Sequence, residues 1–274
     1  MMPFKFPHKG EKALVMGIIN VSPDSFYRES RCTTVDQAIS KAKGMIKEGV
    51  DILDIGAESS RPGSVSISEQ EELDRLMPVL AKLVKVTKVP ISVDTCKPVV
   101  AQKVLQSGAS IINDITGLQR FEGMAKIISQ YDAGLILMHM QGSPEYMQDQ
   151  PQYADVISEI LEYLQRSIDI AISVGVDPQK IAIDPGIGFG KTDSHNLQIL
   201  KNLERFKELA KPVLLGISRK SLIGNILNVS AEERLEGSLA AIVFGLIQGG
   251  SIIRTHDVQA TQRTIKVVQE IIKA

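Results

Sequence analysis

The sequence predicts a (β/α)8 barrel, an α/β fold in which eight parallel strands close into a cylinder inside a ring of helices. Three observations carry this. A short apolar, β-rich run recurs eight times, beginning near residues 13, 51, 90, 110, 135, 181, 212 and 251. The roughly 20 to 45 residues from one start to the next leave room for a helix each time. The chain is 43% apolar but only 4% aromatic, with no Trp, so Val, Ile, Leu and Ala must build the core, as buried parallel strands do. No Pro- or Ser-rich linker divides the 274 residues, which are expected to form one domain over 1–274. A doubly wound open sheet is the alternative, but eight repeats of one polarity favour the closed form.

The elements follow in order. ALVMGIIN ends at Asn20 and runs into the loop NVSPDSFYRES. VDQAISKAKGMIKEG then has helical amphipathicity and stops at Gly49, a residue suited to a helix C-terminus. DILDIGAE ends at Glu58 and opens a second polar loop, ESSRPGSVSIS. PISVDT ends near Asp94, and KPVVAQKVLQSG after it reads as a helix with Pro98 near its start and Gly108 at its end. SIINDIT carries Asn113, LILMHM leads to His139, and IAIDPG ends at Asp184. PVLLGIS turns through Ser218, Arg219 and Lys220 into a further predicted helix, and SIIRTHD closes the series.

Every apolar run thus ends in something polar. In a barrel of this class the chemistry sits at the C-terminal ends of the strands, so the endings predict a polar pocket above a dry core. SIIRTHDV sharpens this. Alternation along a strand puts Arg254 and His256 on one face and Thr255 and Asp257 on the other, so the first pair reads as an anion site. By the same alternation Asp114 faces away from Asn113 and serves structure.

Net charge is −1, which supplies no global field for nucleic acid or an anionic membrane. The longest apolar run, LAAIVFGLI from Leu239, is far below the ~18 residues of a membrane span. Two cysteines without C-x-x-C spacing, and an N-terminus without an apolar signal segment, lead us to expect a cytoplasmic protein. The four histidines, at 8, 139, 195 and 256, show no close pairing, which argues against zinc.

NVSPDSF, ESSRPG, ISVDTCKP, IINDITG, LMHMQGSP, DPGIGFGKT, GISRKSLIG and IIRTHDV occur together in the order and spacing of dihydropteroate synthase, and the chain resembles that family from about residue 14 to 258. The resemblance implies a (β/α)8 enzyme that joins 4-aminobenzoate to a dihydropterin methyl pyrophosphate and is the target of sulfonamides. It implies pterin contacts from Asp94, Asn113, Asp184 and Lys220, with Phe189 lining the ring pocket. Arg254, His256 and Asn20 match the positions that meet the pyrophosphate, Asn20 also contacting Mg²⁺, and Ser60 and Arg61 lie near this anion and the bound substrate. Ser221 would receive the 4-aminobenzoate carboxylate, Phe26 and Pro62 would enclose its ring, and Asp24 would support the metal or the cation when the loops close. A homodimer is implied as well. The nearest rivals are a pterin-dependent methyltransferase module and a non-catalytic pterin-binding protein; neither requires the anion site together with both loop motifs.

Departures from the family pattern fall in four places. Tyr27, Arg28, Glu29 and Ser30 replace a frequent Ser-Asp-Gly-Gly, and Ser60 stands where Thr is usual. Cys96 stands for a common Ser and reads as a packed thiol, and Thr255 stands for a usual Val.

Overall fold

The computed structural model describes residues 4–7, 11–21, 32 and 34–274. Asp24, Phe26 and the Tyr27–Ser30 stretch lie outside the described residues.

Eight strands form a closed parallel barrel: β1 (Leu14–Asn20), β2 (Ile52–Gly56), β3 (Ile91–Asp94), β4 (Ile111–Asp114), β5 (Gly134–Met138), β6 (Ile181–Asp184), β7 (Val213–Leu215) and β8 (Gly250–Thr255). They pair in sequence order, and β8 returns to β1. Each begins within one residue of the start read from the sequence.

Helices follow the strands where the 3.6-residue patterning placed them. Helix α1 (Val35–Lys47) buries Ala38, Ile39, Ala42 and Met45 on one face and starts at a capping box between Thr34 and Gln37. Its chain reverses through Gly49, whose φ of 86° suits a residue without Cβ. Outside the barrel follow α2 (Glu69–Val86), α3 (Pro98–Gln106), α4 (Met124–Gln130), α5 (Val156–Ser173) and α6 (Asp193–Lys201). Two helices, α7 (Ser221–Leu227) and α8 (Leu235–Ile247), separate β7 from β8, and α9 (Val258–Lys273) ends the fold. Among the described residues no helix is long and apolar enough to cross a membrane.

Side-chain alternation divides the core into two. Outward residues such as Val15, Leu53, Val93, Ile112 and Ile253 pack against the helices in the larger cluster. Inward residues Met16, Ile52, Ile111, Ile136, Ala182, Leu214 and Ile252 fill the lower barrel, closed from below by Phe6. Phe4 meets Phe6 edge to face at 4.9 Å.

A polar layer lies two residues further along four of these strands, still inside. Asp54 follows Ile52, Asn113 follows Ile111, Asp184 follows Ala182 and Arg254 follows Ile252. Parallel register aligns Asp54 with Ile18 and with Ser92, and Asp94 with both Gly56 and Asn113. The barrel therefore changes from hydrocarbon to ionisable groups at its C-terminal mouth, where neighbouring elements, not water, must compensate their charge.

A candidate active site at the mouth of the barrel

Arg254 occupies the middle of the polar layer. Its Nε donates to Asp54 at 2.8 Å, and Nη2 reaches Asp54 at 2.7 Å and Asp94 at 3.0 Å. Asp54 is fully buried, 200 residues away in sequence, and the sequence reading did not select it. An acid in the middle of an otherwise apolar strand was the available signal; its partner only appears when β8 closes on β1. Burial pushes the Asp94 carboxyl up to about 7, with Arg254 pulling it down and Asp54 pushing it further up. Asp54 Oδ1 and Asn113 Oδ1 are both buried with no hydrogen-bond partner among the described residues. Two deep acceptors therefore face inward in need of donors.

Asp184 ends β6 and accepts the Gly186 N–H at 2.7 Å. Burial raises its pKa, with the Lys220 ammonium opposing the shift. Lys220 Nζ hydrogen-bonds the Ile187 carbonyl and sits 4.6 Å from the centroid of the Phe189 ring. Burial lowers Lys220 to about 8 despite Asp184. Gly216, between the two, keeps the approach open: a Cβ there would stand 3.8 Å from both Asp184 Oδ2 and Lys220 Nζ.

Two buried basic residues build this region without entering the cavity. Arg219 forms a bidentate pair with Asp257, both bonds 2.8 Å, and also donates to the carbonyls of Ala231 and Glu232. It ties the Ser218–Lys220 turn to the end of β8, with Arg219 itself in the left-handed region at φ 54°. Lys191 is the other. Its ammonium lies 2.9 Å from His139 Nδ1 and donates to the carbonyls of Gly186 and Phe189 at 2.9 and 2.8 Å. His139 is thus a support for the loop after β6, and burial followed by the Lys191 charge holds its ring far below the usual imidazole range.

A cavity opens over these groups. Arg254, His256 and Asn20 line one part of it, Lys220, Ser221 and Phe189 another, and Ser60, Arg61 and Pro62 cover it from the second loop. Asp94 reaches it from below, whereas Asn113 and Asp184 sit deeper in the barrel and do not line it. The second loop is folded on itself by Ser64, whose hydroxyl donates to the carbonyls of Ser59 and Arg61. Gly63 N–H pairs with the Pro144 carbonyl and fastens it to the loop after β5. At its root, Glu58 pairs with buried Lys97, which also holds fully buried Glu72 at 2.7 Å. This triad escaped the sequence reading because its members come from three separate elements.

Cys96 is only partly buried beside Asp94, and burial raises its thiol to about 12, so it stays protonated at neutral pH.

The sequence profile of the pterin binding enzyme family matches residues 16–256. The dihydropteroate synthase of Clostridium beijerinckii is 41% identical over 265 residues, 96% of each chain. Among solved structures, the Yersinia pestis dihydropteroate synthase in complex with a sulfonamide drug superposes with a TM-score of 0.93 at 39% identity, covering 99% of this chain and all of that one. The chain belongs to the dihydropteroate synthase family. The Xanthomonas albilineans dihydropteroate synthase with 4-aminobenzoic acid is similar too, at a TM-score of 0.89, 40% identity and 96% and 94% coverage. The departures from the family pattern that the structure describes are small: Ser60 keeps its hydroxyl at the cavity wall, and Thr255 is buried at the end of β8.

Proposed function

We infer that the chain is a dihydropteroate synthase of folate biosynthesis, condensing 4-aminobenzoate with a dihydropterin methyl pyrophosphate and releasing pyrophosphate. The observation that carries this is the polar layer beneath the cavity. A pterin ring has a guanidine-like donor edge and a carbonyl. The buried acceptors Asp54 Oδ1 and Asn113 Oδ1, with Asp94 and Asp184, suit the donor edge, and the Lys220 ammonium suits the carbonyl. Phe189, held under Lys220, supplies an apolar face for the ring.

The leaving pyrophosphate falls to Arg254, His256 and Asn20 along one wall. Arg254 uses Nε and Nη2 on its carboxylates, so Nη1 is the donor left for the anion. Anchoring by Asp54 and Asp94 holds the guanidinium in place before substrate arrives, which is what stabilising charge at a leaving group demands. Departure of pyrophosphate breaks the C–O bond and leaves a methylene cation delocalised into the electron-rich pterin. The arylamine attacks that carbon with a lone pair already free at neutral pH, forms the C–N bond, and then loses a proton. No strong general base is required. Ser221, at the start of α7, would receive the 4-aminobenzoate carboxylate and Pro62 of the second loop would cover its ring, with Arg61 and Ser60 near the anion and the bound substrate; all four line the cavity.

Mg²⁺ fits this site as an ion shared with substrate. Among the described residues no group of three His, Cys, Asp or Glu side chains could hold a metal, while Asn20 offers a neutral oxygen donor at the rim. Mg²⁺ commonly takes one or two protein ligands and completes its shell with phosphates and water. Bound there, it would neutralise charge on the departing pyrophosphate.

A homodimer and a cytosolic location belong to the same proposal. Ile226, Leu227, Phe244 and Ile247 expose an apolar face on α7 and α8, and both cysteines are free thiols. The deciding assay measures pyrophosphate release from the dihydropterin substrate with and without 4-aminobenzoate. Amine-dependent release supports the assignment, and its absence overturns it. Arg254→Ala should weaken pyrophosphate-bearing ligands far more than free pterin; equal losses would remove Arg254 from the anion site.

A further inference from the structure

A line of buried hydroxyls runs from Ser218, which lines the cavity beside His256, back to α9. Thr261 Oγ1 of α9 lies 3.1 Å from Thr255 Oγ1 of β8, which lies 3.4 Å from Ser218 Oγ. Ser218 Oγ in turn lies 3.1 Å from His256 Nδ1. Two backbone groups join the line from the side: Asp257 N–H donates to Thr255 Oγ1 at 3.0 Å, and His256 N–H donates to Ser218 Oγ at 3.2 Å. All three hydroxyl residues are buried, Thr261 completely.

Each hydroxyl has one proton to give and two lone pairs to fill, so the direction of the line can be worked out. If Nδ1 carried the ring proton, Ser218 would accept it and donate to Thr255, and Thr255 would donate to Thr261. The Thr261 proton would then be left at a fully buried position without an acceptor among the described contacts, with the full desolvation penalty of an unmade bond. In the other direction Thr261 donates to Thr255, Thr255 to Ser218, and Ser218 to a bare Nδ1. Every hydroxyl proton is then used, and Ser218 and Thr255 each have both lone pairs filled.

We propose that Ser218, held from behind by Thr255 and Thr261, is a positioning residue that fixes neutral His256 as the Nε2–H tautomer, so that the ring presents a hydrogen-bond donor to the leaving pyrophosphate. The proposal deepens the assignment of His256 to the pyrophosphate site and rests on it. No proton is transferred: the ring donates a hydrogen bond through Nε2 and keeps its proton. The opposite tautomer would turn a lone pair toward the same oxygens and repel them. Burial, then the cations Lys41, Arg254, Arg219 and Lys220, hold the ring neutral, in keeping with a bare Nδ1. Thr255, standing where Val is usual, makes the longer line a feature of this chain. With valine there, Ser218 would still reach Nδ1 but would lose one of the two groups that fill its lone pairs.

The test is a nitrogen-15 spectrum of the histidine rings in the whole enzyme, with His256 assigned by His256→Ala, beside titrations with inorganic pyrophosphate and with an unphosphorylated pterin. The wild type should show one tautomer, protonated on Nε2. Ser218→Ala should give mixed nitrogen signals and weaken pyrophosphate roughly five- to tenfold, the loss of about one hydrogen bond. Pterin affinity should stay within about twofold, which also shows that the variant is folded. Thr255→Val should show the same changes to a smaller degree. In a His256→Ala background, Ser218→Ala should cause no further loss, because the serine acts through the ring. A wild-type proton on Nδ1, or unchanged nitrogen signals in Ser218→Ala, overturns the tautomer assignment. An equal pyrophosphate loss in the His256→Ala background overturns the positioning role. An Nε2–H ring whose removal leaves pyrophosphate binding intact overturns instead the placing of His256 at the anion.

Discussion

Replacing Asp94 with Asn should stabilise the ligand-free protein, and the gain should grow with pH. Asp94 touches Arg254 at 3.0 Å, yet its surroundings raise its pKa from 3.8 to about 7, because burial outweighs the guanidinium and Asp54 repels it. A carboxyl whose folded pKa lies above its unfolded value contributes its full stability below the unfolded pKa and loses it as pH rises through the folded one. The window is therefore pH ~4 to ~7, with the loss complete by about pH 8. Taking 1.36 kcal/mol per unit, ionisation destabilises the fold by about 2 kcal/mol at pH 5 and about 4 kcal/mol at pH 8. An asparagine side chain is close in shape to the carboxyl it replaces and cannot ionise, so the stability of Asp94→Asn relative to wild type should rise by about 2–3 kcal/mol from pH 5 to 8. Urea unfolding of both proteins at several pH values measures this difference directly, since the other carboxylates are common to both. A difference that stays flat would mean that Arg254 keeps Asp94 ionised throughout, and the account of burial outweighing the Arg254 pair at Asp94 would fall. The same variant should bind pterin less tightly, stability having been gained at the expense of a ligand contact.

Three further outcomes follow from the same structure. Lys97→Met leaves Glu58 and buried Glu72 without their cation and should destabilise the protein by about 3–5 kcal/mol in chemical denaturation, as breaking a buried ion pair does; a loss below about 1 kcal/mol would make the triad incidental. Gly186→Ala would set a Cβ 1.9 Å from the His139 carbonyl oxygen at a backbone φ of 70°, so the loop carrying Phe189 must move; thermal unfolding should drop and pterin affinity should fall with it. Lys220 loses its charge near pH 8, so pterin affinity should decline as pH passes that value, and Lys220→Arg should remove the decline from any binding it retains. Calorimetric titrations across pH 7 to 9 test this, and a wild-type profile without that decline would separate Lys220 from the pterin.

Much of this protein was determined by local sequence. Eight β-branched runs with helical patterning between them set the strand–helix alternation, because period 2 and period 3.6 are properties of short segments. The facing of residues at the end of β8 was legible for the same reason: Arg254 and His256 line the cavity, while Thr255 is buried on the other side and Asp257 pairs with Arg219. Helix limits were legible where one residue marks them, as Pro98 and Gly49 do. What only the tertiary structure decided is which charges compensate one another. Arg254 meets Asp94 across 160 residues and Asp54 across 200. Lys97 gathers Glu58 and Glu72 from separate elements, and the hydroxyl line behind His256 runs through a turn, a strand and a helix. Such partnerships depend on the register in which parallel strands pair and on the closure of β8 against β1. A one-residue slip in that register would turn each inward group outward. No local pattern encodes it, because a buried charge is tolerated only through partners that the closed barrel brings to it.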